Sequence, residues 1–382
     1  MVILEEPYVS EYLLEYLESH QVPVLNNDFA KRQKDKYHLN LISDEEMVSD
    51  YKEGKGLYLA TENALDWVYE YLKEEEIIKG LNKIKNKVDF RELIKGIYPN
   101  FFFDRVNYDE LETYDSSKLQ YPIVLKPAVG FFSLEVYVIN NAEEWEKSIN
   151  IIKEKEETLQ AQFPQSVVDM KEFIIEEYIK GTEYAIDAYY NEEGRPVILN
   201  IFTHRFASAE DVSDRVYYTS KEIIETYKAP FTNFLEEMNK ELNLTGFPMH
   251  VEIRVEGEKI IPIEVNPMRF AGLGCTDIAY YAYGISTVDY YLNNKEPDFD
   301  EILKDKSGKL YSLIVLDKKE DIPCAQFDYD KLIQDFEKVM MLRKVDTKAL
   351  NIFGFVFTET REENIEELDR ILKSDLMEYV RA

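Results

Sequence analysis

The stretch from His250 to Pro267 constrains the fold of this chain more than any other. His250 to Val255 alternates as a half-buried β-strand does. Glu256-Gly257-Glu258 is typical of a tight turn, and Ile260 to Val265 then predicts a returning strand. The pattern therefore predicts an antiparallel hairpin, one face of which carries charged side chains.

The predicted hairpin brings two carboxylates together. Glu252 shares a strand face with His250 and Arg254, and Glu264 shares one with Asn266, because side chains two apart point the same way. Opposed like charges destabilise a sheet unless a cation lies between them, and carboxylate and amide oxygens suit Mg²⁺. We therefore expect these two glutamates and Asn266 to bind Mg²⁺, with Mn²⁺ as the alternative ion. The competing interpretation is two solvent-facing acids on an acidic protein.

Two cationic residues lie at the ends of predicted strands, where a bound anion would stabilise their charge. Arg269 comes after Pro267, which cannot continue a ladder, and its guanidinium suits a carboxylate, a phosphate or a structural ion pair. Lys126 ends the apolar strand Tyr121–Leu125, where its charge needs an anion or must extend to the surface. The loop 128–133 offers backbone N–H groups and a hydroxyl that could cover phosphates.

The segment from Glu176 to Glu183 links two predicted strands, 173–175 and 184–190. A short extended linker can expose backbone N–H and C=O groups that read the edge of an adenine. Glu183 would then accept hydrogen bonds from ribose hydroxyls. The alternative is an ordinary loop.

Charge and cysteine content exclude several classes of partner and site. Acidic residues outnumber basic ones 75 to 45, which gives a net charge of −30 and disfavours nucleic acid and anionic membranes as partners. No apolar run approaches the roughly 20 residues of a membrane span, and the N-terminus lacks a positive signal-peptide region. With only Cys275 and Cys324, a disulfide framework or a four-cysteine zinc site is excluded. We expect a cytoplasmic protein.

The length of 382 residues predicts two or three domains. Strands at 2–4 and 23–25 flank a helix at Glu11–Ser19, which predicts a β-α-β opening. No glycine-rich turn follows the first strand, so a dinucleotide fingerprint is absent. For the last seventy residues the pattern predicts a small α/β appendage, including a helix over Tyr329–Val339 and a strand over Asn351–Phe357.

The order of these residues closely resembles the ATP-grasp superfamily, and within it the carboxylate–amine ligases. The resemblance rests on Lys87, Lys126-Pro127, the segment Glu176-Glu-Tyr-Ile-x-Gly-x-Glu183, Glu252, and Glu264-Val-Asn266-Pro, and it covers roughly residues 1–300. It implies an α/β ATP-grasp fold in four parts. These are a pre-ATP-grasp α/β domain at 1–85, a central lobe at 86–180, a C-terminal lobe with the metal-binding hairpin at 181–307, and the appendage at 308–382.

The resemblance also implies roles for individual residues. Lys87 and Lys126 resemble the two nucleotide lysines, and the loop from Gly130 to Ser133 resembles the flexible loop over the phosphates. Adenine is then read by the hinge, and the metal is bound by the hairpin. The hinge residues are Glu176, Glu177, Tyr178 and Ile179, the ribose acid is Glu183, and the metal ligands are Glu252, Glu264 and Asn266.

Two arginines complete the implied site. Arg205 lies where related proteins place a cation on the γ-phosphate, and Arg269 matches the arginine that steadies the transferred phosphoryl group or the substrate carboxylate. The phosphate loop departs from the family pattern, because Phe131 and Phe132 replace small residues and Glu135 stands where glycine is common near the triphosphate.

The resemblance implies an ATP- and Mg²⁺-dependent ligase that joins a small-molecule carboxylate to an amine through an acyl phosphate. Phosphoryl transfer needs positioning and charge neutralisation more than a protein nucleophile. The alternatives are another ATP-grasp activity, such as a carboxylase or a thiol ligase, and a nucleotide-binding module without catalysis. A homodimer is left open. The polar segment from Thr203 to Ser220 suggests a substrate loop, or a set of residues that pair with one another.

Overall fold

The computed structural model describes residues 1–129, 136–162, 169–206, 215–319, 322–346 and 350–381. Gly130, Ser133 and Glu135 of the expected phosphate loop lie outside these residues, as does most of the polar segment after Arg205.

The N-terminal part is a four-stranded parallel sheet in the order β3-β2-β1-β4. Helices follow the first three strands, so the expected β-α-β opening is confirmed. Ser10 caps the first helix, because its side chain accepts a hydrogen bond from the backbone of Leu13. The elements are β1 (Val2–Ile3), α1 (Glu11–Ser19), β2 (Pro23–Leu25), α2 (Asp28–Gln33), β3 (Asn40–Ile42), α3 (Asp44–Lys52) and β4 (Tyr58–Leu59).

Three helices lead from this sheet to the next one. They are α4 (Leu65–Tyr71), α5 (Ile77–Lys85) and α6 (Lys87–Ile94). Asn86 caps α6 by accepting from the backbone of Val88 and Asp89, and its amide donates to Glu172 at 2.8 Å. This cap fixes Lys87 in the first turn of α6, beside the second sheet.

The second sheet has the strand order β5-β8-β6-β7 and is antiparallel throughout. One long helix covers it by burying Trp145, Ile149 and Ile152 against the strands. The elements are β5 (Phe103–Asn107), β6 (Ile123–Val129), β7 (Tyr137–Ile139), α7 (Ala142–Gln162) and β8 (Asp169–Glu177).

The third sheet of the described residues has eight strands in the order β13-β12-β9-β10-β11-β14-β16-β15. Its neighbouring strands are antiparallel. The strands are β9 (Thr182–Tyr190), β10 (Pro196–Arg205), β11 (Val216–Ser220), β12 (Phe247–Glu256), β13 (Lys259–Pro267), β14 (Lys309–Asp317), β15 (Val339–Lys344) and β16 (Ile352–Arg361).

Helices pack on this sheet and on its continuation toward the C-terminus. They are α8 (Lys221–Leu242), α9 (Ile278–Tyr283), α10 (Thr287–Leu292), α11 (Phe299–Ile302), α12 (Tyr329–Gln334) and α13 (Glu366–Lys373). The helix expected over Tyr329–Val339 ends at Gln334, and Val339 begins β15 instead. The sequence prediction was wrong there because pairing with β16 decides the conformation of β15.

The C-terminal strands extend the third sheet. β14 pairs with β11 on one side and with β16 on the other, so the last seventy residues share a sheet with the hairpin strands. The C-terminal strands and the hairpin therefore belong to one continuous sheet.

The N-terminal sheet is joined to the end of the hairpin. The backbone N–H of Leu59 in β4 donates to the carbonyl of Met268 at 2.9 Å, just beyond β13. One hydrophobic core runs through both parts and includes Val2, Leu17, Val251 and Ile278. The segment that follows the hairpin is thereby held against the first domain.

Two further expectations concern cysteines and membranes. Neither Cys275 nor Cys324 forms a disulfide bond, and Cys324 is buried. Within the described ranges, no helix combines the length and apolar character that a membrane crossing requires.

Candidate active site

The predicted hairpin is present, and its register places the two acids directly opposite. β12 and β13 pair so that Glu252 faces Glu264 and His250 faces Asn266. The register shifts by one residue between Glu252 and Ile253, whose partner is Pro262. Proline has no N–H to donate to the ladder, which is a physical reason for a bulge at this point.

The amide of Asn266 lies between the opposed carboxylates. Its Nδ2 is 3.3 Å from Oε1 of Glu252 and 3.4 Å from Oε1 of Glu264, while its Oδ1 accepts from Nη2 of Arg269 at 2.8 Å. An amide flip would present the oxygen to a cation in place of the N–H groups.

The donor chemistry of this group fits Mg²⁺. Within the described ranges, no cluster of three or more His, Cys, Asp or Glu side chains is placed to hold a metal. A cation at the hairpin would therefore rest on two carboxylates and one amide, with water and phosphate oxygens as its other ligands. That partial set is usual for Mg²⁺, which keeps several waters and is bound by one or two carboxylates.

A lysine from the helix before the second sheet reaches the hairpin. Nζ of Lys87 lies 2.8 Å from Oε2 of Glu264. Burial by itself raises the pKa of Glu264, but the cations of Lys87, Lys126 and Lys85 outweigh it and bring that pKa down to about 2. The carboxylate is therefore ionised at neutral pH and ready to meet a cation.

Lys126 lies in a buried ion-pair group. Its Nζ is 2.7 Å from Oε1 of Glu176, whose Oε2 accepts from Nε of Arg91 at 2.7 Å. The three side chains are between 2% and 5% exposed. Val124 pairs with Glu176 across β6 and β8, so Lys126 is a diagonal neighbour of that acid. Arg91 also donates to the carbonyl of Pro262 at 2.7 Å, which ties the second sheet to the hairpin.

The expected adenine hinge follows the last residues of β8. The backbone N–H of Glu177 donates to the carbonyl of Phe102 at 3.0 Å, and that of Tyr178 donates to Pro122 at 3.2 Å. The side chain of Glu176 points away from a hinge role, since both of its oxygens accept from buried cations. Only the backbone of Glu176 is left for the adenine contact expected of it.

The expected ribose acid is held by an arginine on the neighbouring strand. Glu183 and Arg254 are register partners across β9 and β12. Nη2 and Nε of Arg254 lie 2.9 and 3.1 Å from Oε2 of Glu183, and Nη1 donates to the carbonyl of Ile179 at 2.7 Å. The guanidinium also lies over the ring of Tyr178, 5.3 Å from its centre. One arginine therefore orients both the hinge and the acid.

A fully buried aspartate supports the other side of the hairpin. Asp187 pairs in register with His250, and its Oδ1 lies 2.7 Å from Nδ1 of the imidazole. The same carboxylate accepts from the backbone of Ala271 at 2.8 Å and from Oγ1 of Thr276 at 2.7 Å. Nε2 of His250 is 3.9 Å from Oε1 of Glu252. Asp187 thus connects a metal-ligand candidate to the segment after the hairpin.

Arg269 is joined to the N-terminal domain. Its Nη2 lies 3.2 Å from Oε2 of Glu62, a residue of the short helix after β4, and Nη1 donates to the carbonyl of Phe270 at 3.0 Å. Glu62 also pairs with Lys85, the last residue of α5, and both side chains are about a tenth exposed. The carboxylate of Glu62 therefore pairs with the arginine that we expect to bind a substrate acid.

Arg205 lies apart from these contacts. At the end of β10 it pairs with Asp369 of α13 at 2.6 Å, and this pairing raises its pKa. Arg215, on the far side of the polar segment, pairs with Asp317 at 2.7 Å. The structure therefore brings together the hairpin residues, Lys87 and Arg269, and it places Lys126 near enough to affect Glu264.

Several residues of this site were not singled out in the sequence. Arg91 follows Lys87 by four positions, and that helical spacing is a usable signal. Asp187 is the one acid in the apolar strand Tyr184–Tyr190, which is a signal of a buried hydrogen-bonded carboxylate. Glu62 and Lys85 carry no local signal, because only the tertiary contacts bring them to Arg269.

Comparisons with known proteins agree with this geometry. Residues 119–277 match the family model of the ATP-grasp domain, a range that contains Lys126, the hinge, the hairpin and Arg269. No curated protein matches the sequence.

Solved structures are similar over nearly the whole chain. An L-amino acid ligase from Bacillus licheniformis aligns with a TM-score of 0.70 and 16% identity, covering 97% of this chain and 96% of its own. N5-carboxyaminoimidazole ribonucleotide synthetase from Thermotoga maritima gives 0.66 and 16%, with 97% of each chain covered. Biotin carboxylase from Campylobacter jejuni gives 0.64 and 12%, covering 96% of this chain and 89% of its own. Residues 119–277 therefore carry an ATP-grasp domain, and these likenesses show that the chain has the ATP-grasp fold.

Proposed function

We propose that this protein is an ATP- and Mg²⁺-dependent ligase that joins a small carboxylate to an amine through an acyl phosphate. The observation that carries the proposal is the convergence on one hairpin of the opposed acids Glu252 and Glu264 with Lys87 and Arg269. The two acids and the two cations balance each other, so a Mg²⁺ ion held by the acids would supply the positive charge that offsets a triphosphate on a chain whose net charge is −30.

The reaction follows from what these groups can hold. An oxygen of the substrate carboxylate attacks the γ-phosphorus, the bond to the β-phosphate oxygen breaks, and ADP leaves. The amine nitrogen then attacks the acyl carbon, the bond to the phosphate oxygen breaks, and the nitrogen loses a proton. The products are an amide, ADP and inorganic phosphate.

Each residue has a proposed role in that sequence. Lys87 and Lys126 bind phosphate oxygens, and Arg269 holds the acid or the transferred phosphoryl group. Glu252, Glu264 and Asn266 would hold Mg²⁺, which neutralises phosphate charge when bound. The hinge at Glu177–Ile179 would bind adenine through its backbone, Glu183 would bind ribose, and Arg205 would meet the γ-phosphate if the chain end that carries Asp369 rearranges.

The domain limits 1–85, 86–180, 181–307 and 308–382 also remain a proposal. The first limit falls between α5 and α6, and the second falls just after β8, the last strand of the second sheet. The last limit divides strands of one sheet.

The test is the trapping of an acyl phosphate. Protein, Mg²⁺, ATP and single carboxylic acids are incubated with concentrated hydroxylamine, and hydroxamate and ADP are measured together. A ligase of this type gives both products for at least one acid, and amides form when a primary amine replaces hydroxylamine. ADP release that depends on bicarbonate and not on other acids would instead identify a carboxylase.

A matched pair of variants makes the test specific. Glu264→Gln removes a charge at the metal position, and Glu258→Gln removes one at the exposed turn of the same hairpin. The first should abolish hydroxamate formation and the second should leave it unchanged. No hydroxamate with any acid contradicts the proposal, and a thermal shift by Mg²⁺-ATP that persists in that case favours a nucleotide-binding module without catalysis.

A further inference from the structure

One carboxylate on the site face of the third sheet is completely buried. Asp187 lies in β9 between Ile186 and Ala188, and none of its surface is exposed. Among the residues that the structure describes, no lysine or arginine forms an ion pair with it, and its charged-type partner is the imidazole of His250. Removing a carboxylate from water is costly unless donors surround it. The presence of this acid therefore calls for a reason other than packing.

Three donors from two parts of the chain satisfy the carboxylate of Asp187. Its Oδ1 accepts from Nδ1 of His250 at 2.7 Å and from the backbone N–H of Ala271 at 2.8 Å. Its Oδ2 accepts from Oγ1 of Thr276 at 2.7 Å. Because a carboxylate only accepts, Nδ1 of the imidazole carries a proton. The acid is thus held by β12 of the hairpin and by the segment that follows β13.

The two parts that Asp187 joins lead to the two ends of the proposed reaction site. His250 precedes Glu252 by two residues on one strand face, and its Nε2 lies 3.9 Å from Oε1 of that glutamate. Ala271 follows Arg269 by two residues. One carboxylate therefore holds the strand of a metal-ligand candidate and the backbone beside the arginine expected at the substrate acid.

The surroundings of Asp187 oppose any rotation of its side chain. Asn200, Asp187, His250 and Asn266 are register partners across the four neighbouring strands β10, β9, β12 and β13. Asn200 is also fully buried, and its Oδ1 accepts from Oγ1 of Thr219 at 3.0 Å. Turning the carboxylate away would leave three donors without their acceptor, which costs more than the net gain of three hydrogen bonds. Asp187 is therefore a fixed point between the two parts of the site.

We propose that Asp187 is a positioning residue of the ligase, and that it fixes the separation between Glu252 and Arg269 through His250 and the backbone of Ala271. This inference rests on the proposed function, because it concerns the expected metal ligand and the expected acid-binding arginine. The side chain of Asp187 is buried, so it acts through its neighbours, by accepting hydrogen bonds rather than by its charge. Phosphoryl transfer depends on placement, and an error of about 1 Å can cost about a hundredfold in rate.

Two substitutions separate the acceptor atoms of Asp187 from its charge. Asp187→Leu keeps a similar shape and removes both oxygens, whereas Asp187→Asn keeps an oxygen that can accept from His250 and Ala271. The kcat for hydroxamate formation should fall by about tenfold or more in Asp187→Leu and by less than about threefold in Asp187→Asn. Both are measured well below their melting temperatures. The KM for ATP should stay within about threefold of wild type, because the hinge is not bonded to Asp187. A clearly smaller fall of kcat in Asp187→Leu would overturn the proposal.

The matched control is a buried acid in α13 with the same kinds of donor. Glu367 accepts from Oγ1 of Thr360 at 2.5 Å and from the backbone N–H of Glu337 at 2.6 Å. Glu367→Met removes its oxygens and should lower the melting temperature, as Asp187→Leu should, because buried donors lose their acceptor. Its kcat should match that of wild type. An equal loss of kcat in both variants would show a general effect of lower stability and would overturn the proposal.

A variant of His250 keeps the proposal testable if Asp187→Leu does not fold. His250→Phe retains an aromatic ring beside Phe202, whose centre lies 6.2 Å from that of the imidazole, and breaks only the connection that leads to Glu252. The Mg²⁺ concentration for half-maximal rate should rise about tenfold, because partners behind a metal ligand commonly contribute that much affinity. The KM for the acid should not change. An unchanged Mg²⁺ requirement would contradict the role of Asp187.

Failure of this inference can be told from failure of the proposed function by two measurements without turnover. In the free protein the ring ¹⁵N chemical shifts of His250, assigned by their loss in His250→Gln, should show a proton on Nδ1, and Asp187→Leu should alter them. A wild-type ring with a bare Nδ1 overturns the inference even if hydroxamate forms. If wild type forms no hydroxamate, calorimetric titration decides: the gain in ATP affinity from Mg²⁺ should shrink about tenfold in Asp187→Leu. An unchanged gain, or no binding of Mg²⁺-ATP to wild type, overturns it.

Discussion

Glu252 and Glu264 face each other in direct register across two antiparallel strands, with the amide of Asn266 within 3.4 Å of both. Such a pair destabilises a sheet unless cations offset it. Here Lys87 lies 2.8 Å from Glu264, and Arg269 holds the other end of the asparagine at 2.8 Å. The protein's own cations therefore offset the repulsion between the acids and leave them adjacent, in an arrangement that suits a divalent ion.

Removing one of the opposed charges should separate stability from metal dependence. In Glu252→Gln the repulsion across the strands is relieved, so the melting temperature of the free protein should not fall. The rise in melting temperature with ATP should lose its dependence on Mg²⁺, because one carboxylate ligand is gone. Thermal scans at fixed ATP and varied Mg²⁺ measure both effects. A variant that keeps the full Mg²⁺-dependent shift shows that Glu252 is no metal ligand.

The buried group of Lys126, Glu176 and Arg91 predicts an asymmetry between two substitutions. Glu176→Gln leaves two buried cations without their carboxylate and should lower the free energy of unfolding by about 3–5 kcal/mol. Lys126→Met leaves Glu176 paired with Arg91 and should lower it by less. The same variant should weaken ATP binding at least tenfold, because a phosphate contact is lost.

Urea unfolding of the two variants measures their free energies of unfolding, and nucleotide titration measures their affinity for ATP. Lys118→Met removes the same charge at an exposed position before the same strand, and is the matched control for Lys126→Met. If Lys126→Met proves the more destabilising of the two core variants, Glu176 is not held mainly by Arg91.

The same group predicts a loss of stability in acid. Burial alone raises the pKa of Glu176, but the cations of Arg91 and Lys126 outweigh it and lower the pKa from 4.5 to about 2. The native state therefore releases this proton more readily than the unfolded state. The resulting stabilisation, about 3 kcal/mol, is present above pH 4.5 and disappears as the pH falls toward 2.

A difference measurement isolates this contribution from the many other acids of the chain. The free energies of unfolding of wild type and Glu176→Gln are measured in urea between pH 6 and pH 3. Their difference should be constant above about pH 5 and should shrink below pH 4.5. A difference that stays constant to pH 3 means that Glu176 does not titrate in this window.

The pair formed by Glu183 and Arg254 predicts discrimination between riboses. If the carboxylate of Glu183 accepts from a ribose hydroxyl, wild type should bind ATP more tightly than 2′-deoxy-ATP or 3′-deoxy-ATP. Glu183→Gln should reduce that difference to near zero, since an amide accepts more weakly than a carboxylate. Competition titrations measure the ratio, and Glu192→Gln, an exposed acid at the end of β9, is the control. Equal affinity of wild type for all three nucleotides would show that Glu183 does not bind the ribose and only holds Arg254 at the hinge.

Much of the fold and part of the site could be predicted from local patterns. The alternation from His250 to Val255 and the turn at Gly257 determine the hairpin, because a period of two and a tight turn leave little choice of register. The register set by the turn would pair Glu252 with Ile263, and the one-residue shift beside Pro262 brings Glu252 opposite Glu264. The opening β-α-β unit is determined in the same way, by short apolar runs around an amphipathic helix.

The conformation of residues 339–344 was decided by tertiary structure. The segment Val339–Lys344 contains two methionines and a leucine that favour a helix, and it became a strand through pairing with β16. Local propensities amount to tenths of a kcal/mol per residue, and a ladder of backbone hydrogen bonds to a distant strand exceeds them.

The charge partners of the site were also beyond the reach of the sequence. Lys126 was expected to need an anion, but nothing local indicates that Glu176 and Arg91 supply one. Glu62 comes to Arg269 from 207 residues away because β4 hydrogen-bonds to the end of the hairpin. Residue type and spacing along one element determined which groups are candidates for binding nucleotide and metal. The packing of three sheets decided which groups they meet, because electrostatic pairing depends on distances that only the folded chain sets.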